Sequence, residues 1–279
     1  MKQFIFKNNQ FVEKSLANIS IDERGFLFGD GIFETCKIFN GRIYDFESHL
    51  ARIRRALKAF RFTAELSDLE KKSSELIKKN QIQNGILRIS ISRGIGSAGY
   101  LPTYQSKPLI IIKTIDEASF SENFPRKISL GISSYKKPPS NSFPSEFKSS
   151  QSFPYVLTKI ESQEKDLFDS VILSQENFIC ETSSANIFWI KKGKIFTPSK
   201  ACEMVLGTIR KKLLKISSIK IHEVEKTVSA LKNADEIFLT NASFLVLSVD
   251  EFLGRKLQKD SGKMFLELLQ NDVEERCKR

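Results

Sequence analysis

Histidine is scarce in this sequence: its 279 residues include two, His49 and His222. A Ser-His-Asp hydrolase or a multi-histidine metal centre needs imidazole in a defined setting, and neither residue sits in a GxSxG or HExxH context. If the chain is an enzyme, its proton transfers fall to lysine or a carboxylate, or its electronics come from a cofactor. Cysteine is equally thin. Cys36, Cys180, Cys202 and Cys277 stand apart with no CxxC spacing, which excludes a zinc ribbon and a thioredoxin-type pair. Four isolated thiols suit a reducing cytosol. No apolar run is long enough to span a bilayer. The opening MKQFIFKNNQFVEK lacks the apolar core of an export signal, so a cytoplasmic location is expected and no membrane partner.

What is present is a globular composition, with 41% hydrophobic and 28% charged residues, so a packed core is expected rather than disorder. The net charge is +11. Lys and Arg are spread along the chain. The densest runs, Arg52-Ile53-Arg54-Arg55 and Arg210-Lys211-Lys212, fall inside apolar helical patterns, which argues against a nucleic-acid partner.

Residues 1–46 read as short strands with turns at Asn8-Asn9 and Asn40-Gly41. Leu50, Ile53, Leu57 and Phe60 recur at helical spacing over 47–61, and a second helix fits 67–80. GILRISIS (85–92) alternates as a strand does, and 108–115 reads as a buried strand. The polar stretch 116–126 is the expected linker. Residues 136–154, rich in Ser, Pro and Phe, predict an irregular loop. A helix from about 155, a strand at DSVILS, and a hairpin from Ala185 to Thr197 with its turn at Lys192-Gly193 follow. Next come a basic helix over 208–217, strands near 219–225, 236–241 and 244–251, and a last helix over 261–271. The pattern predicts an α+β protein with a smaller domain at 1–116 and a larger β-rich domain at 117–279.

Four segments can carry chemistry. Gly29-Asp30-Gly31 is a tight turn ahead of a strand, either ordinary or shaped for close backbone approach. Gly207-Thr208-Ile209 opens a helix and is either a plain cap or an anion site. Glu181 ends a strand and is either a surface turn acid or, at depth, a carboxylate needing a cation. Lys148 lies among Ser and Phe residues, where desolvation would make its amine nucleophilic, though spacing alone does not select it from the other lysines.

In order, these segments resemble the class IV aminotransferase family of fold type IV, whose members include branched-chain aminotransferases, D-amino-acid aminotransferases and aminodeoxychorismate lyases. The likeness runs from about residue 20 to about 250. It rests on Glu23-Arg24-Gly25, with Glu where Asp is usual, on Phe28-Gly29-Asp30-Gly31-Ile32-Phe33-Glu34, and on His49-Leu50-Ala51-Arg52. It rests further on Glu181 through Phe188 and on Gly207 to Arg210. The resemblance implies a D-amino-acid aminotransferase-like fold with the site between its domains, a homodimer, no metal, and pyridoxal 5′-phosphate (PLP) as cofactor. By that likeness Lys148 holds the cofactor as a Schiff base and shuttles protons. Glu181 pairs with the pyridine nitrogen. Arg52 binds the phosphate with the backbone of Gly207, Thr208 and Ile209, and Asn241-Ala242 lie nearby. Phe33, Arg93 and Ser97 are the substrate-side candidates. Gln151 and Phe153 stand where the pattern often has Asn or Tyr.

Within the family, NGILRISISRGIGSAGY (84–100) is similar to the corresponding segment of aminodeoxychorismate lyase, although Ala98 replaces an Arg. Asn241-Ala242 is also lyase-like. The expected reaction is conversion of 4-amino-4-deoxychorismate to 4-aminobenzoate and pyruvate. The alternative is a branched-chain or D-amino-acid transaminase that moves an amino group to a 2-oxo acid.

Overall fold

The computed structural model describes residues 2–97, 99–103, 106–117, 127–139, 141–142, 144–216 and 219–278. The chain divides into two compact units: Met1–Phe124 with Phe147–Gln151 and Val273–Arg279, and Pro125–Glu146 with Ser152–Asp272. This differs from a single break after residue 116. The segment that carries Lys148 belongs with the first unit, because its backbone pairs with a strand there.

The first unit holds β1 (Phe4–Lys7), β2 (Gln10–Glu13), α1 (Arg24–Phe28), β3 (Gly31–Phe39), β4 (Arg42–Ile43), α2 (Phe46–Ala59), α3 (Leu69–Lys79), β5 (Gly85–Ser92) and β6 (Leu109–Asp116). Its sheet runs β2-β1-β6-β5-β3-β4, antiparallel throughout. The two-residue period divides its side chains cleanly. Ile32, Cys36 and Ile38 of β3 join Leu87, Ile89 and Ile91 of β5 and Ile112 of β6. With Leu50, Ile53 and Leu57 of α2 and Leu76 and Ile77 of α3 they form one buried core. The alternate residues Phe33, Thr35, Arg88, Ser90 and Lys113 line the opposite face. Both expected hairpin turns are present, with Asn8, Asn40 and Gly41 at positive φ. Most of the expected 116–126 linker lies outside the described residues.

The second unit holds β7 (Ser129–Lys136), α4 (Phe153–Glu164), β8 (Asp169–Leu173), β9 (Ile179–Thr182), β10 (Asn186–Lys191), β11 (Lys194–Pro198), α5 (Thr208–Leu214), β12 (Ile221–Val224), α6 (Ser229–Lys232), β13 (Glu236–Asn241), β14 (Leu245–Ser248), β15 (Glu251–Phe252) and β16 (Arg255–Lys256). α7 (Asp260–Cys277) begins in this unit. Two five-stranded sheets result, β12-β11-β10-β13-β14 and β16-β15-β7-β8-β9. β10, β13 and β8 are buried on nearly every residue, as strands covered on both faces must be. Val171, Ile179, Ile187, Trp189, Ile237 and Leu239 form the core between them. On the other side of β10 and β13, Phe188 stacks on Phe238 at 4.9 Å, and Phe238 meets Phe265 of α7 at 5.2 Å.

α1 is a single turn that the sequence reading treated as part of a strand-and-turn region. Glu23 makes it: its carboxylate accepts the Phe26 N–H at 3.0 Å and the Ser92 hydroxyl at 2.6 Å. Gly29, at φ 64°, ends it in the left-handed conformation. The Glu that replaces the usual Asp therefore still caps a helix.

Candidate active site

In the first unit, Lys148 is set by backbone pairing. Its carbonyl accepts the Phe33 N–H at 2.9 Å, Ser150 N donates to Gly31 O at 2.9 Å, and Ile32 bridges Ser149. Register then directs alternate side chains to alternate faces. Phe147 enters the core. Lys148 comes to the opposite face, with its Nζ 5.1 Å from the centre of the Phe33 ring.

The same ring carries a second cation. Arg88 lies with its guanidinium carbon 3.9 Å from the Phe33 centroid. Among the described residues Arg88 has no carboxylate or hydrogen-bond partner, and burial pulls it below the usual guanidinium value. Its cross-strand neighbour Lys113 is also lowered, first by burial and then by the Arg88 charge. Arg88 was not among the sequence candidates. Its signal is visible only in register: a basic residue inside an alternating apolar strand, opposite Thr35 and diagonal to Phe33 on the same sheet face.

Arg52 lies on the helix-covered face. It and Glu34 are both 2–3% exposed, and the Arg52 Nε and Nη2 donate to the two Glu34 oxygens at 2.5 and 2.7 Å. His49 Nδ1 lies 2.7 Å from Glu34 Oε2. Burial alone would raise the Glu34 carboxyl, but the Arg52 charge and the His49 and Arg52 hydrogen bonds outweigh it and bring it down to about 2. The H-x-x-R spacing thus places both residues of α2 on one buried acid.

Arg93 and Ser97 are engaged within the unit. Arg93 donates to Asp30 Oδ2 (2.8 Å), Phe60 O (2.8 Å) and Arg61 O (3.0 Å), and it stacks on Phe62. The Ser97 hydroxyl donates to Leu101 O. Arg24 binds Asp30 and the carbonyls of Ser97, Gly99 and Tyr100, which pins the 93–101 loop. These hydrogen bonds give Arg93 and Ser97 loop-holding work. Ala98 lies outside the described residues. Gln151 donates to Phe28 O at 3.3 Å, and Phe153 is 69% exposed at the start of α4.

In the second unit, Glu181 is a buried acid, not a surface turn residue. Its Oε1 accepts from Lys137 Nζ at 2.8 Å and from the Tyr155 hydroxyl at 2.9 Å. Its Oε2 accepts the Val205 N–H at 3.1 Å and faces the Asn186 amide at 3.5 Å. Burial and the Glu181 charge push the Tyr155 phenol well above its ordinary value, so it stays a donor. Burial likewise keeps the neighbouring Cys180 a thiol.

Gly207 caps α5 with no side-chain acceptor on its first-turn amides. A Cβ at Gly207 would lie 2.1 Å from Asn186 Oδ1, so a larger residue there would have to displace the Asn186 side chain that bonds Val205 O. Asn186 pairs directly with Thr240 across β10 and β13 and therefore shares its sheet face. Thr240 is 1% exposed, and among the described residues its hydroxyl has no hydrogen-bond partner. The Asn241 amide closes a local turn, accepting from Ser243 N and Phe244 N and donating to Ser184 O. Ala242 follows it. An anchored acceptor carboxylate, the open amides of a helix start and a buried hydroxyl are groups that suit a basic ring nitrogen and a phosphate, so this chain's residues fit PLP.

The fold is that of the type IV PLP enzymes. The branched-chain amino acid aminotransferase of Escherichia coli superposes with a TM-score of 0.91 at 20% identity, covering 98% of this chain and 95% of that one. The 4-amino-4-deoxychorismate lyase of Pseudomonas aeruginosa superposes at 0.82 with 20% identity, covering 96% and 99%. The sequence profile of amino-transferase class IV matches residues 31–252, and the chain belongs to that family, whose cofactor is PLP. Similar curated proteins include a putative branched-chain-amino-acid aminotransferase of Methanocaldococcus jannaschii, 27% identical with 90% of this chain and 88% of that one covered. An aminodeoxychorismate lyase of Vibrio harveyi is 28% identical, with 81% and 84% covered. A D-alanine aminotransferase of Bacillus licheniformis is 26% identical, with 90% and 88% covered.

Proposed function

We propose that this chain is a PLP enzyme acting on an amino substrate that carries carboxylates, and that its reaction is cleavage of 4-amino-4-deoxychorismate to 4-aminobenzoate and pyruvate. The observation that carries the substrate class is the Phe33 ring with Arg88 on it and Lys148 beside it. A guanidinium without a partner, no farther from the Lys148 amine than those two ring distances combined, suits a substrate whose carboxylate is a short reach from its amino group. Lys113 adds a second positive charge to that face.

Lys148 Nζ would hold the cofactor covalently and, once exchanged for the substrate amine, take the proton from the substrate carbon. Glu181 would face the ring nitrogen. Thr240 Oγ1 and the amides that open α5 would meet the phosphate, with Asn241-Ala242 beside them. When bound, the cofactor supplies an electron sink that stabilises negative charge left by deprotonation. The Arg52 fork is held by Glu34, so any phosphate contact it makes would come in addition to that ion pair.

The lyase reading is supported by the 84–100 segment and by Asn241-Ala242. A transaminase is the second reading, favoured by the names of relatives that match as well as the lyase does. Purified protein given 4-amino-4-deoxychorismate, and separately an amino acid with 2-oxoglutarate, decides between them. Pyruvate with 4-aminobenzoate supports the lyase, and glutamate supports the transaminase. We also propose a homodimer. The exposed Phe26 and Leu27 of α1 with Ile95, Tyr100 and Leu101 form apolar surface that a second copy would cover. Light scattering at twice the chain mass tests it. Among the described residues no group of side chains is arranged to hold a metal, and no helix is long and apolar enough to cross a membrane.

A further inference from the structure

Lys137 is buried to 2% exposure, in the loop after β7, and none of the roles proposed above uses it. Its ammonium is spent on Glu181 Oε1, and it also contacts the Tyr155 hydroxyl. Among the described residues it is the one cation within hydrogen-bond reach of this acid. An ionised carboxylate has roughly four acceptor positions. Oε1 has two strong donors at 2.8 and 2.9 Å, while Oε2 has one at 3.1 Å and one at the 3.5 Å limit. Oε2 is therefore the oxygen with room for another donor.

Resting on the reading that Glu181 meets a protonated ring nitrogen, we propose that Lys137 is a positioning residue that acts as the resident counter-charge of Glu181. It occupies Oε1, turns Oε2 toward the ring nitrogen, and limits how tightly the carboxylate grips that cation. The physics is competition for one negative charge. A buried carboxylate without a cation is costly. In the cofactor-free chain Lys137 already meets that need, so the ring nitrogen adds a second cation to an acid that is partly neutralised. Without Lys137 the ring nitrogen becomes the first. Tyr155, fixed as a neutral donor, holds the carboxylate's orientation in either case.

The test measures the rise in melting temperature that PLP gives the cofactor-free protein, and the PLP Kd by titration. The variants are Lys137→Met, which removes charge and donor, Lys137→Gln, which removes charge but keeps a donor, and Lys137→Arg, which keeps both. The uncharged variants should melt lower without PLP, gain more from it than wild type, and bind it at least about fivefold tighter, a coupling of ordinary size. Lys137→Arg should behave as wild type. Folded Lys137→Met recovered only in the presence of PLP also supports the proposal. An equal gain in all proteins means a merely structural role, and a smaller gain in the uncharged variants means a pure aiming role; either overturns it. A wild-type chain that gains nothing from PLP would instead sink the cofactor reading itself.

Discussion

Arg52 and Glu34 meet through two hydrogen bonds, Nε to Oε1 at 2.5 Å and Nη2 to Oε2 at 2.7 Å, with both side chains nearly sealed from solvent. A fork-to-fork pair in that setting is a structural element first. Arg52→Ala leaves Glu34 buried without its cation and should cost about 3–5 kcal/mol of stability. Chemical denaturation of the cofactor-free protein measures this. A variant as stable as wild type that merely loses PLP would show that the phosphate is the guanidinium's main partner.

The same pair sets an acid limit. Glu34 titrates near 2 when folded, against an ordinary value of 4.5. A lowered carboxylate contributes stability above its unfolded value and loses it as pH falls toward its folded one. The contribution, on the order of 3 kcal/mol, should be intact above about pH 5 and fade between 4.5 and 2. Denaturation midpoints across that window test it. Glu34→Gln should flatten the dependence there, and an unaltered slope would refute the assignment.

Lys148→Ala should abolish covalent attachment of PLP, seen as loss of the yellow chromophore after gel filtration, and with it turnover. The fold should survive, since what anchors this segment is its backbone pairing with β3. Retained turnover in this variant would remove the proposed chemistry.

Arg88→Ala should lower kcat/KM for a carboxylate substrate by about 10- to 100-fold, the worth of a charge-assisted hydrogen bond. The loss should be smaller for an amine lacking the carboxylate. Stability should change little, because no carboxylate is left unpaired. Equal losses on both substrates would return Arg88 to a packing role.

Thr240→Val exchanges a buried hydroxyl without a partner for a methyl of similar shape. The cofactor-free protein should become more stable by about 1 kcal/mol or more, while PLP binds less tightly. Opposite movement of the two quantities is the signature. A loss of stability would mean that the hydroxyl is satisfied within the fold.

Much of the fold was legible because burial enforces period. The 47–61 and 67–80 helices, the 85–92 strand and the Lys192-Gly193 hairpin appear within a few residues of their expected places, since each carries its core face in its own spacing. α1 was not legible. Its cap acid looks like any turn residue until Ser92, 69 positions away, is seen to share it.

The sequence alone determined which segments alternate, which helices are amphipathic, and which ordered motifs mark the family. These are local properties, written in nearest-neighbour spacing and backbone chemistry. Tertiary structure decided what each charge does. It gave Arg93 to a loop and Arg52 to Glu34, buried Glu181 against Lys137, and left Arg88 on an aromatic ring without a partner. The physical reason is that a charge's work depends on distance to other charges and to water. Strand register and helix packing fix both across separations that no sequence window spans.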